Sequence, residues 1–156
     1  MRRLLIAFLI LTMGQARADS FFVGGSVGLI GPGIVAGWES DQNFGVRLSA
    51  GTVWTQGVFV TGDVYGQWQF GRTRLYAGGG VAAVYIPQFG SSTTYIAPEA
   101  LLGFSAELAR QSELFLEINP GLTVARIPPL TDSFEYIPVV EFGLLLRVNL
   151  GFRVRF

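Results

Sequence analysis

The last sixteen residues, EFGLLLRVNLGFRVRF, constrain this chain more than any other stretch. Phe142, Leu144, Leu146, Val148, Leu150, Phe152, Val154 and Phe156 fall on every second position. Between them stand Glu141, Gly143, Leu145, Arg147, Asn149, Gly151, Arg153 and Arg155, polar or glycine except for Leu145. A strand sends successive side chains to opposite faces, so a period of two sustained this long predicts a strand with one apolar and one polar face.

The same signature recurs upstream. Apolar-alternating runs are expected over 21–30, 34–39, 44–55, 58–70, 74–86, 95–108 and 113–125, with an eighth from about Tyr136 to the end. Turn signals separate them: GPG at 31–33, SDQN at 40–43, Gln56-Gly57, GRT at 71–73, a longer PQFGSSTT at 87–94, ARQS at 109–112 and RIPPLTDSFE at 126–135. No segment sustains a helical period, and none after the N-terminus has the eighteen apolar residues of a membrane helix. The pattern predicts an all-β fold, an eight-stranded antiparallel up-and-down barrel. Pro98, Pro120 and Pro138 sit inside predicted strands without the N–H a ladder needs, so bulges or breaks are expected there.

Residues 1–18 are read apart from the fold. Two arginines, an apolar stretch from Leu4 to Met13 and Ala16-Arg17-Ala18 make a secretory signal peptide with an A-x-A cleavage site. The barrel domain is then 19–156. It carries eight Arg against eleven Asp and Glu, a net charge of −3, which leaves no basic face for nucleic acid. With no Cys, no disulfide framework supports it after export.

A closed meander can face either way. In a soluble lipid-binding barrel the apolar face points inward; in an outer-membrane barrel it meets lipid and the polar face lines the lumen. Charged residues are only 14% of the chain, too few for a water-covered surface. The polar face is mostly small residues, with charges at Arg47, Asp63, Glu99, Glu117, Glu141 and Arg147. Aromatics gather at strand ends: Trp54, Tyr85, Tyr95 and Tyr136 toward one end, and Trp38 and Trp68 with Phe21, Phe44, Phe70 and Phe156 toward the other. Two such belts suit two lipid–water interfaces. Most expected strands are long enough for a tilted span of about 9–11 residues. The expectation is therefore a transmembrane barrel.

Asn149-x-Gly151-x-x-Val154-x-Phe156 resembles the C-terminal assembly signal of bacterial outer-membrane barrels. Over about 19–156 the chain resembles the small eight-stranded family that includes the OmpA transmembrane domain, OmpX and OmpW, without matching one member. It departs from many of them in its short outer connections, which argues against adhesion through loops. The resemblance implies an outer-membrane location, lipid and the barrel-assembly machinery as partners, and a monomer. It also implies no periplasmic peptidoglycan-binding domain, since the barrel ends the chain.

Enzymes of this architecture lean on histidine as a general base. This chain has no His and no Cys, so a Ser-His-Asp arrangement is impossible. Carboxylates such as Glu113 and Glu117 on one strand face, or Asp63 and Glu99 in the same lumen, could do acid–base work; pairing with arginine is the stronger expectation. No metal or other cofactor is expected, and the glycines at 78–80 precede no helix that would make them a phosphate loop. Eight strands leave an interior that side chains fill. Arg47 and Arg147 are thus expected to pair with Asp63, Glu99, Glu117 and Glu141 and plug it, making a non-enzymatic structural or interaction protein. The alternative is a narrow pore, or a lateral route for small or hydrophobic solutes opened by the prolines.

Overall fold

The computed structural model describes residues 20–54, 57–88, 91–127 and 143–156. The expected signal segment, Tyr136, Pro138 and Glu141 lie outside these. Strands form where the alternation predicted them: β1 (Ser20–Gly28), β2 (Pro32–Glu39), β3 (Phe44–Val53), β4 (Gly57–Phe70), β5 (Thr73–Gln88), β6 (Ser91–Ala109), β7 (Ser112–Thr123), β8 (Ala125–Ile127) and β9 (Gly143–Arg155). One expectation is corrected. Most of PQFGSSTT is strand rather than loop, because β5 and β6 stay paired out to Gln88 opposite Ser91.

From β1 to β7 each strand pairs antiparallel with the next, β7 pairs with β9, and β9 returns to β1 through seven residue pairs from Phe22 opposite Arg155 to Gly28 opposite Asn149. The sheet closes on itself, so no edge strand is left with unpaired backbone groups. Although nine segments are distinguished, β7 and β8 form one stave, since both pair with β6. The architecture is a closed, eight-stranded, antiparallel up-and-down barrel, as the alternation predicted.

The break between β7 and β8 has a visible cause. Glu99 faces Gly121 and Ile96 faces Ala125, so two residues of β6 oppose three of the neighbouring stave. The extra residue is a β-bulge at Val124, whose N–H donates to the Ile96 carbonyl at 2.9 Å. Pro98 lies opposite this bulge and has no N–H to give. Pro120 stays in register with Leu146 of β9, but the β6–β7 ladder is interrupted beside it, between the Leu102–Ile118 and Glu99–Gly121 pairs.

Ser20, Phe156 and the turns at 40–43, 71–72 and 110–111 share one rim, here the terminal end; the rim where β1 passes to β2 is the far end. Asn43 and Gly71 take positive φ in two of the terminal-end turns, the conformation these residue types tolerate best.

Polarity across the wall is inverted relative to a soluble protein. Leu48, Val60, Val64, Leu102, Leu116, Leu144 and Leu150 are exposed on the outside, while Glu39, Arg47, Asp63, Glu117, Arg147 and Arg153 are buried inside. This is the reverse of the arrangement expected of a soluble lipid-binding barrel. The lumen also holds Phe22, Phe59, Tyr65, Tyr76 and Phe115. Glycine makes room for them: Gly103 pairs with Tyr76, and a Cβ there would overlap the Tyr76 ring. Gly103→Ala is therefore expected to destabilise the barrel by about 1–3 kcal/mol. Gly62→Ala, where the nearest atom is Leu48 Cδ2 at 3.5 Å, should leave stability nearly unchanged. Paired urea-unfolding curves in lipid check the contrast.

Candidate functional site

The lumen contains the chemistry of this molecule. Among the described residues, five buried arginines (47, 74, 147, 153 and 155) face five buried carboxylates (39, 63, 99, 113 and 117). They come from seven of the eight staves, and pairing across the lumen divides them into two groups.

At the terminal end, Glu39 at the end of β2 and Glu113 at the start of β7 are bridged by three arginines. Arg74 reaches Glu39 at 3.1 Å and Glu113 at 2.7 Å. Arg153 lies 2.9 Å from Glu113 and 3.6 Å from Glu39. Arg155 contacts Glu39 and lies 2.9 Å from Glu113. Tyr65 donates its hydroxyl to Glu39 at 2.9 Å, and Ser105 donates to Glu113 at 3.2 Å. The Arg153 guanidinium also lies 4.8 Å from the Phe22 ring centre and 5.4 Å from that of Tyr76, close enough for cation–π attraction.

Toward the far end, Arg47 on β3 bonds Asp63 on β4 at 2.9 Å and reaches across the lumen to Glu117 on β7. Tyr76 donates to Glu117 at 2.7 Å. Arg147 on β9 grips Glu99 on β6 through Nε at 3.1 Å and through Nη2, a two-point contact. Phe59 lies 5.3 Å from the Arg147 guanidinium. Tyr65 and Tyr76, with ring centres 5.5 Å apart, connect the groups by bonding Glu39 on one side and Glu117 on the other.

Burying a charge alone is very costly, and pairing offsets this only where geometry and further hydrogen bonds are good. Each of the five carboxylates contacts at least one arginine, so the lumen meets that condition by mutual neutralisation. The result is a layer of cross-strand and cross-lumen bonds inside the barrel.

Of the residues singled out from the sequence, Arg47, Asp63 and Glu117 meet, and Glu99 meets Arg147; Glu141 lies outside the described residues. Glu39, Arg74, Arg153 and Arg155 were missed. For Arg153 and Arg155 the signal was present: they share the strand phase of Arg147. Asn149 faces the lumen, with Nδ2 3.4 Å from Asn119 Oδ1. Gly151 lies against the Phe115 ring. Val154 is half-buried, and Phe156 is exposed at the terminal end, its N–H donating to the Phe21 carbonyl at 2.9 Å. Trp38 and Trp68 project outward at the terminal end, Trp54 and Tyr85 at the far end. Trp54 is tied down by its indole N–H, which donates to the Gly28 carbonyl at 3.2 Å. Tyr95 departs from the expected belt. It shares the lumen phase of Thr93 and Ala97, because the uninterrupted β5–β6 register places it opposite buried Val84.

No protein-family model and no curated protein matches the chain. Among solved structures, it is similar to a major outer membrane protein from Thermus thermophilus, with a TM-score of 0.56 and 16% identity over 90% of this chain and 100% of that one. At that identity the likeness concerns the fold.

Proposed function

We propose that this protein is an integral bacterial outer-membrane barrel, exported by a cleaved signal peptide, whose lumen is plugged by Arg/Glu ion pairs and whose role is structural or interaction-mediating rather than enzymatic. The observation that carries the reading is the inverted polarity: an apolar wall all round, with the charges inside. Such a wall is stable where lipid surrounds it, and a closed barrel satisfies the backbone hydrogen bonds that lipid cannot. Flanking aromatics at both rims support the same setting, as does the likeness to a major outer membrane protein. The partners are then lipid and the barrel-assembly machinery reading Asn149, Gly151, Val154 and Phe156. Nucleic acid has no basic surface to bind, and the barrel is read as a monomer. The non-enzymatic reading rests on the absence of His and Cys from the sequence and on the engagement, among the described residues, of each buried carboxylate by arginine.

Arg147→Ala tests the plug. It removes the side chain that spans from β9 to Glu99. In a planar bilayer the wild type is expected to pass no resolvable current and the variant to show discrete steps. A silent variant, folded and inserted, would mean that Arg147 does not close the bore. A second reading, a narrow pore or a lateral route through the wall, is favoured by the bulge at Val124, close to Pro98 on the neighbouring stave. Wild-type conductance would favour it over the plug.

A further inference from the structure

One row of the barrel brings two acids together. Asp63 on β4 pairs with Gly80 on β5, and Gly80 pairs with Glu99 on β6. Gly80 has no side chain to separate them; a Cβ there would lie 2.5 Å from Asp63 Oδ1. The Asp63 carboxyl leans over Gly80 in the row it shares with Glu99, so the two acids stand close enough to interact. Asp63 spends Oδ2 on Arg47, but Oδ1 is buried and receives no hydrogen bond from any described donor. Glu99 is held from its other side by Arg147.

Among the described side chains, charge around this row is unbalanced. Arg47 and Arg147 supply two positive charges, while Asp63, Glu99 and Glu117 supply three negative ones. The compensating surplus, three arginines against Glu39 and Glu113, lies beyond the Tyr65–Tyr76 pair. The other polar side chains near the row, Thr61 on β4 and Asn119 on β7, are neutral, and each keeps a buried atom without a partner. Glu117 is already occupied by Arg47 and Tyr76. The unneutralised charge therefore falls where Asp63 Oδ1 meets Glu99.

Two carboxylate oxygens are both acceptors and cannot bond each other unless one carries hydrogen. In a medium of low dielectric, two adjacent negative charges also repel strongly, as in other carboxylate dyads. We propose that Asp63 and Glu99 bind one proton between them, forming an acid–carboxylate hydrogen bond across Gly80. The pair is thus a proton-binding site inside the wall. One proton cancels the local surplus and gives Asp63 Oδ1 its missing partner. Releasing it to water leaves two like charges in contact beside the Arg147 lock. This chemistry stands whether or not the barrel conducts.

Infrared spectroscopy of the protein in liposomes of ether-linked lipids, which bring no ester carbonyl of their own, tests it, because carboxylates in water are ionised at neutral pH and contribute no acid carbonyl band. The wild type is expected to show a protonated-carboxyl band at neutral pH that disappears in strong alkali. Asp63→Asn and Glu99→Gln should each abolish it at neutral pH. A wild-type spectrum without the band overturns the proposal with no variant needed. A band that survives both substitutions overturns it too, because the proton then sits elsewhere.

Discussion

Glu113→Gln is expected to lower the stability of the folded barrel by about 3–5 kcal/mol, the usual cost of removing one partner from a buried charge group. Glu113 lies 2.7 Å from Arg74, 2.9 Å from Arg153 and 2.9 Å from Arg155. Glutamine nearly conserves the volume, so packing changes little. The charge does not survive, and three guanidinium groups are left crowding around Glu39 alone. They cannot leave, because their strands are fixed by ladders on both sides. Urea unfolding in lipid vesicles measures the loss. A change below about 1 kcal/mol, the range of exposed pairs, would mean that water bathes this end of the lumen and that the ion pairs do not close it.

Val64→Arg is the second large effect, and it tests the other face. Val64 lies near the middle of β4 and points outward. If lipid surrounds the wall there, an arginine at that depth costs about 2–4 kcal/mol, whereas the same substitution at Val58, near the far rim, costs about 0–1 kcal/mol. The depth dependence distinguishes lipid from water: an exposed valine on a soluble barrel would accept arginine at either height with little change.

The fold was legible because both faces of nearly every strand are chemically distinct. Val58, Val60 and Val64 against Thr61, Asp63 and Gln67 already assign β4 its two sides. Legibility failed where the distinction fades. Residues 91–94, SSTT, read as loop because polar side chains are the loop signature, yet in an inverted barrel polar residues are what a strand shows its own lumen; Thr93 is buried there. Tyr95 was placed in a belt because, with 91–94 read as loop, it stood at the very start of its strand, where no preceding alternation showed its phase. Pro98 and Pro120 did mark a bulged region, but the position of the bulge at Val124 depends on the register with β6, which no local pattern contains.

The site was half legible. Arg47 and Asp63 are direct neighbours on paired strands, so a meander reading brings them together. Arg155 and Glu39 are 116 residues apart and touch only because β9 closes onto β1, which leaves a single stave between them. Such contacts depend on barrel closure and side-chain reach, and the sequence expresses neither. The Asp63–Glu99 contact depends on something subtler, a missing side chain at Gly80, in a stretch of β5 too small and glycine-rich to assign a face from alternation.

This barrel turns its apolar face outward and its charges inward, and β9 shows the alternation over its whole length. The chain has no cysteine, so single cysteines placed in turn from Leu144 to Arg155 can each carry a nitroxide label in liposomes without background. Labels at 144, 146, 150 and 152 are expected to collide with oxygen dissolved in the lipid, and labels at 147, 149, 153 and 155 to be shielded from it. The opposite phase, with the even positions protected and the odd ones open to a water-soluble relaxant, would contradict the account.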